Sequence, residues 1–268
     1  MLKMIKQSTI FVCAVLFAPL LRLIQGFPVR IVLMYHGINE RDISCFKSQM
    51  AYLSKKCCVV APSRIMTAQS NGKKRILLSI LFDDAFVSVL KHGLPVLKSY
   101  DLPFGISVPT GHLGRQPTWV TFDDSVIDVE TVMTARQIEE LDKAGVEILS
   151  HSVTHTVLTD LDDDELKTEL LESKRALEGM IGHDVSGFCY PYGSHDARVC
   201  QAVGHAGYRY GFTVEPEVAD RTPDPMRIGR FEVDPGEKGS FKLKVSGAYQ
   251  VKKYLQDLKG CVRRRKKS

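Results

Sequence analysis

The sequence predicts an α/β fold, a mainly parallel sheet curled into an incomplete barrel with helices packed outside it. Three observations predict it. Short apolar runs rich in β-branched residues recur seven times along the chain. Segments of helical periodicity separate most of them, and such alternation builds parallel sheets. The polar residues able to do chemistry collect just past the ends of four runs, on the face where parallel α/β proteins place their sites.

In chain order the strand runs are Val29–Tyr35, Arg75–Phe82, Phe104–Val108, Val146–Leu149, Gly187–Tyr190, Tyr208–Val214 and Ile228–Val233. None contains a proline, which would remove a ladder hydrogen bond. Helical patterns cover Phe46–Lys55, Val87–Ser99, Ala135–Ala144, Asp162–Met180 and Asp196–Ala206. The Asp162–Met180 segment carries the clearest end signals. Asp162, Asp163 and Asp164 stand where carboxylates meet the unpaired N–H groups of a helix start, and Gly182 can take the left-handed turn that ends one. Gly207 plays the same part after Ala206. Residues 111–131 read as a long loop holding the only tryptophan, Trp119. No repeat or low-complexity linker divides the chain, so we expect a hydrophobic segment over 1–28, one α/β domain over 29–247 and a basic helix or tail over 248–268.

The chain has 268 residues, 44% hydrophobic and 25% charged, enough apolar content for one sizeable core. Its net charge of +5 is mild, and no basic stripe interleaves with aromatics, which argues against a nucleic-acid partner. The 7 cysteines include the adjacent pair Cys57 and Cys58 but no Cys-x-x-Cys spacing. An odd, scattered set reads as free thiols rather than a disulfide framework, and leans toward a reducing compartment. Lys3 and Lys6 precede an apolar run from Ser8 to Leu21, short for a spanning helix and without a small-x-small cleavage site. We read residues 1–24 as contacting a membrane surface. A signal peptide and a helix packed on the domain are the alternatives. The tail Arg263–Lys267 suits an anionic cytoplasmic leaflet, so the cytoplasmic face is favoured over a secreted or periplasmic setting.

Four polar clusters follow strand ends. His36 follows the first run, Asp83 and Asp84 the second, His151 and His155 the fourth, and Pro191-Tyr192-Gly193 the fifth. Two histidines four residues apart plus a carboxylate form a common donor set for a catalytic divalent ion. Alone, His-x-x-x-His would as readily be a surface pair. Neighbouring carboxylates point in different directions, so one can bind a metal while the other faces a water as base. The plain alternative is a helix N-cap pair, since a helix follows. Asp123 and Asp124 repeat the acidic dipeptide, but Gln116-Pro117-Thr118 interrupts the run before them, so we read them as solvated or rim residues of the long loop.

Leu81-Phe82-Asp83-Asp84-Ala85, His151-Ser-Val-Thr-His155 and Tyr190-Pro191-Tyr192-Gly193 resemble the first three motifs of the polysaccharide deacetylases, carbohydrate esterase family 4. Leu33-Met34-Tyr35-His36-Gly37 is similar to the start of many members, and the resemblance spans about residues 29–247. It implies a distorted seven-stranded (β/α) barrel. It implies that Asp84, His151 and His155 bind one divalent ion, zinc first with cobalt or nickel as alternatives, and that Asp83 is the general base. The backbone N–H of Tyr192 would help hold the oxyanion. Pro191 and Trp119 would line the substrate side.

The sequence departs from the family pattern in four places, the smallest being Leu81 where threonine is usual. No histidine follows His205, where many members keep a late Leu-x-His acid, so His36 is the expected acid, as in members whose last motif has moved to the front. Phe188-Cys189-Tyr190 lacks the usual arginine of the third motif, and Arg230 is expected to orient Asp83 instead. Ala85 stands where a glycine is usual. The expected reaction removes N-acetyl groups from amino sugars of a polysaccharide, an oligosaccharide or a lipid-linked glycan. The alternatives are hydrolysis of another non-peptide C–N bond and an inactive sugar-binding relative. The oligomeric state cannot be read from the sequence.

Overall fold

A computed structural model describes residues 29–70, 76–119, 130–219 and 224–246. The N-terminal apolar segment, the Asp123-Asp124 pair and the basic tail lie outside the described residues. Among the described residues, no helix is long and apolar enough to cross a membrane.

The strands are β1 (Val29–Tyr35), β2 (Cys58–Val59), β3 (Ile76–Phe82), β4 (Gly105–Val108), β5 (Glu147–Ser150), β6 (Gly187–Cys189), β7 (Tyr210–Phe212) and β8 (Phe231–Glu232). All pair in parallel in the order β7-β6-β5-β4-β3-β1-β8, with β2 beside β3. β1 and β3 share the longest register, from Val29↔Ile76 to Tyr35↔Phe82. The seven strands of the path match the seven expected runs. β2, two residues long, is too short for periodicity to announce. Residues 228–232 tie the two edges of the sheet. Ile228 bridges Phe212 of β7, and Phe231 and Glu232 pair with Leu33 and Met34 of β1. Arg230 lies between those contacts.

The helices are α1 (Ile43–Lys56), α2 (Leu94–Ser99), α3 (Ala135–Lys143), α4 (Asp163–Ile181), α5 (Ala197–His205) and α6 (Phe241–Val245). α4 begins with a capping box, Asp162 receiving the N–H groups of Asp164 and Glu165 while Glu165 returns to the Asp162 N–H, and ends at left-handed Gly182 (φ 78°). The segment expected as one helix over Val87–Ser99 instead opens with a π-helical turn, Val89–Gly93, before α2. Pro95 has no N–H for the carbonyl one turn back, which accounts for the wider ladder there.

Side-chain alternation divides the interior in two. Leu78, Ile80 and Phe82 of β3 join the large cluster between sheet and helices, whereas Leu77 and Leu81 join a small cluster inside the curl with Val32, Leu149, Cys189, Phe212 and Ile228. Odd-numbered β3 residues therefore face inward, and Asp83, the next in that series, continues on the inner side at the top of the barrel. By the same parity Leu149 leads to His151, and Ile228 to Arg230.

Candidate active site

Asp83 and His151 each sit one residue beyond a strand, and backbone hydrogen bonds extend the ladder to them. The Asp83 N–H donates to Tyr35 O at 2.8 Å and the His151 N–H to Val108 O at 3.0 Å. The chain then turns sharply. Asp84 (φ 68°), Ala85 (φ 50°), Ser152 (φ 64°), His155 (φ 58°) and Tyr192 (φ 56°) all adopt left-handed backbone, leaving Asp101 as the only other described non-glycine residue to do so. Each such residue costs about 1–3 kcal/mol, and such strain concentrates at sites. Ala85 is left-handed where the family motif keeps glycine, which takes that conformation without penalty.

These turns bring Asp84, His151 and His155 together, all buried, with donor atoms within 4.8 Å of one another. Asp84 Oδ1 lies 3.2 Å from His155 Nε2 and 3.6 Å from His151 Nε2. That oxygen is buried and accepts no hydrogen bond of good geometry. Atoms about 2.1 Å from a tetrahedral ion stand roughly 3.4 Å apart, so the two Asp84–histidine spacings are compatible with a shared cation. His151 donates Nδ1–H to the Cys189 carbonyl at 2.7 Å, which leaves Nε2 with its lone pair facing Asp84. Burial pushes the His151 pKa down to about 4, so its imidazole is neutral and able to ligate at neutral pH. Burial opposes ionisation of Asp84, but the two imidazoles beside it prevail and lower its pKa.

Asp83 is held apart from this group. Its Oδ1 accepts from Arg230 Nη1 and from Ser107 Oγ, each at 2.8 Å. Neither bond engages its Oδ2. Burial raises the carboxyl pKa, but the Arg230 guanidinium and His151 outweigh burial and hold it far below the ordinary carboxylate range. Arg230 is fully buried and is itself fixed by Nε donation to Thr213 O at 2.8 Å.

The remaining expected residues form the rim. Trp119 stacks on the His155 ring at 4.1 Å and 15°, and Tyr192 meets the same ring edge-on at 4.7 Å. Tyr192 is 54% exposed, so it also faces the open side. Pro191 is buried beneath it. His36 is half-buried and borders a cavity of about 720 Å³ that extends to Glu232 and Asp234.

Comparison with known proteins places the chain in a family. The polysaccharide deacetylase family model matches residues 69–211, more than half of the chain. The chain belongs to that family. The provisionally named polysaccharide deacetylase YxkH of Bacillus subtilis (strain 168) is 24% identical over 217 residues, covering 78% of this chain and 73% of that one. Two solved structures share the fold. The Streptococcus pyogenes deacetylase PplD, in complex with acetate, superposes with a TM-score of 0.67 at 21% identity, over 82% of this chain and 99% of its own. IcaB from Ammonifex degensii gives 0.68 at 23% identity, over 82% and 97%.

Sequence reasoning missed three parts of this polysaccharide deacetylase site. Ser107 was hidden as one small polar residue in a buried strand, although inward parity in β4 singles it out. The Cys189 carbonyl is a backbone group and carries no letter. Glu169 of α4 accepts from the N–H groups of Val153 and Thr154, at 2.8 and 3.0 Å, and from Thr154 Oγ at 2.8 Å. Nothing in the sequence separates it from the other acidic residues of that helix.

Proposed function

We propose that this polysaccharide deacetylase is a metal-dependent hydrolase that removes N-acetyl groups from amino sugars of a glycan. The observation that carries the reading is the division of labour between neighbouring carboxylates. Asp84 faces two imidazole nitrogens, while Asp83 is ionised and fixed by Arg230 and Ser107 outside that donor group.

Asp84, His151 and His155 would hold one divalent ion, zinc by preference. Bound there, it supplies Lewis-acid polarisation of the acetamide carbonyl and a more acidic water. Asp83 takes the proton from the attacking water through Oδ2, the oxygen that Arg230 and Ser107 leave free. Arg230 keeps the carboxylate charged across the neutral range, ready to accept that proton. The Tyr192 N–H, placed by its left-handed turn, faces the oxygen that gains charge as the carbonyl is attacked. His36 gives a proton to the departing amine. Trp119 and Tyr192 wall the acetyl side.

The test is acetate release from N-acetylglucosamine oligomers, assayed after chelation and again after adding zinc, cobalt or nickel. Activity that survives complete chelation would remove the metal from the mechanism. The same proposal has residues 1–24 hold the enzyme at a membrane surface where its substrate is presented, cytoplasmic by preference. Fractionation of full-length chain against a chain lacking those residues tests this, and equal solubility of the two would reject it.

A further inference from the structure

The two histidines of the site are held in different ways. His151 has its second ring nitrogen on the Cys189 carbonyl, whereas the second ring nitrogen of His155, Nδ1, is buried with no hydrogen-bond partner among the described residues. Metal-ligating imidazoles are ordinarily oriented by a bond to that second nitrogen. Ring contacts with Trp119 and Tyr192 limit the tilt of His155, but its backbone position must be set by something else. It lies at the end of a turn with left-handed residues at Ser152 and His155. Between them the N–H groups of Val153 and Thr154 and the Thr154 hydroxyl all converge on the carboxylate of Glu169. The His155 N–H adds a bond to Ser152 Oγ at 3.1 Å.

We infer that Glu169 is the positioning residue for His155: it braces the 152–155 turn from α4 and so sets where the histidine stands relative to Asp84. The inference rests on the metal reading above. Three hydrogen bonds to one charged acceptor are strong compared with neutral ones, and they fix two left-handed residues that would otherwise relax. A glutamine in place of Glu169 could reproduce them, its amide oxygen accepting both backbone N–H groups while its NH₂ donates to the Thr154 hydroxyl. An alanine there could not.

The chain offers its own reporter. Trp119 is the only tryptophan and stacks on His155, so its fluorescence responds to cobalt or zinc binding at that ring. Metal-free full-length protein is titrated with cobalt, following both Trp119 fluorescence and the cobalt absorption band. Wild type should bind about one ion. Glu169→Ala should bind roughly 10- to 100-fold more weakly, the usual cost of losing an outer-shell support. Glu169→Gln should recover most of the affinity that Glu169→Ala loses and give the wild-type band, a rescue that loss of helix stability alone would not predict. Glu169→Ala binding cobalt as tightly as wild type would overturn the inference, as would failure of Glu169→Gln to recover. If Glu169→Ala does not fold, Thr154→Val, which removes one of the three bonds, decides alone. A weakened affinity upholds the role and an unchanged one rejects it. Wild type that binds no cobalt would instead sink the metal reading itself.

Discussion

The guanidinium of Arg230 lies 2.8 Å from Asp83 Oδ1, and both side chains are buried, 0% and 4% exposed. The two residues come from opposite regions of the chain and meet because residues 228–232 close the barrel against β1. The pair explains how an ionised carboxylate can sit inside the curl. An unpaired charge there would be costly, whereas a paired and hydrogen-bonded one is tolerated.

Removing Arg230 should therefore do more than trim activity. Arg230→Met leaves Asp83 buried without its counter-charge, and stability should fall by about 3–5 kcal/mol. Arg230→Lys should recover part of this. The Asp83 pKa is depressed in the fold, so in wild type its contribution is complete above about pH 4 and is lost as pH falls below that. Urea unfolding at several pH values checks both points. A methionine variant as stable as wild type would show that the ion pair contributes little.

Asp83 and Asp84 should fail in different ways. Asp83→Asn should retain the metal and lose turnover, although Arg230 then lacks its partner and stability drops. Asp84→Asn should lose the metal first, with affinity falling by orders of magnitude. Elemental analysis beside acetate release separates the two. Equal metal loss in both variants would place Asp83 among the ligands.

Much of this site was legible in the sequence because strand ends can be read from hydrophobic runs. His36, Asp83, Asp84, His151, His155 and Tyr192 each follow such a run, and the runs set their order around the barrel. Arg230 was legible only through a departure from the family pattern, since the stretch Phe188-Cys189-Tyr190 lacks the usual arginine and left room for a substitute. Ser107, Glu169 and the Cys189 carbonyl were not legible. Their roles depend on which strands and helices become neighbours, and on left-handed turns that no local periodicity encodes. The π-helical turn before α2 escaped for a related reason: Pro95 can be read in the sequence, but how the ladder adjusts to it cannot.

The neutral state of His151 implies a pH signature in metal-free protein. Its pKa in the fold is about 4, against about 6.5 when unfolded, so between these values the unfolded chain binds the proton and the folded chain does not. Stability should then fall as pH drops from about 6.5 to 4, by up to roughly 1.4 kcal/mol per pH unit from this group. Chelator-treated wild type and His151→Gln, unfolded by urea at pH 7, 6 and 5, make the comparison. A wild-type dependence no steeper than that of the glutamine variant would contradict the burial-driven shift.

The second acidic pair provides a control on the choice of site. Asp123→Asn and Asp124→Asn, alone or together, should leave metal content unchanged and acetate release within a few-fold of wild type. Damage comparable to that at Asp83 and Asp84 would mean that the long loop contributes to the chemistry.

His36 carries the least conventional assignment, because the family's acid more often comes from late in the chain. It stands one residue past β1, on the strand-end face that also carries Asp83 and Asp84. General acid catalysis contributes about 10²–10⁴-fold, so His36→Ala should lower amide turnover within that range while metal content stays at wild type. The leaving group sharpens the test. An amine must be protonated to depart, but a nitrophenolate need not be. The variant should therefore retain far more of its activity on 4-nitrophenyl acetate than on N-acetylglucosamine oligomers. Equal losses on the two substrates would reject His36 as the acid, and loss of metal would make it a ligand.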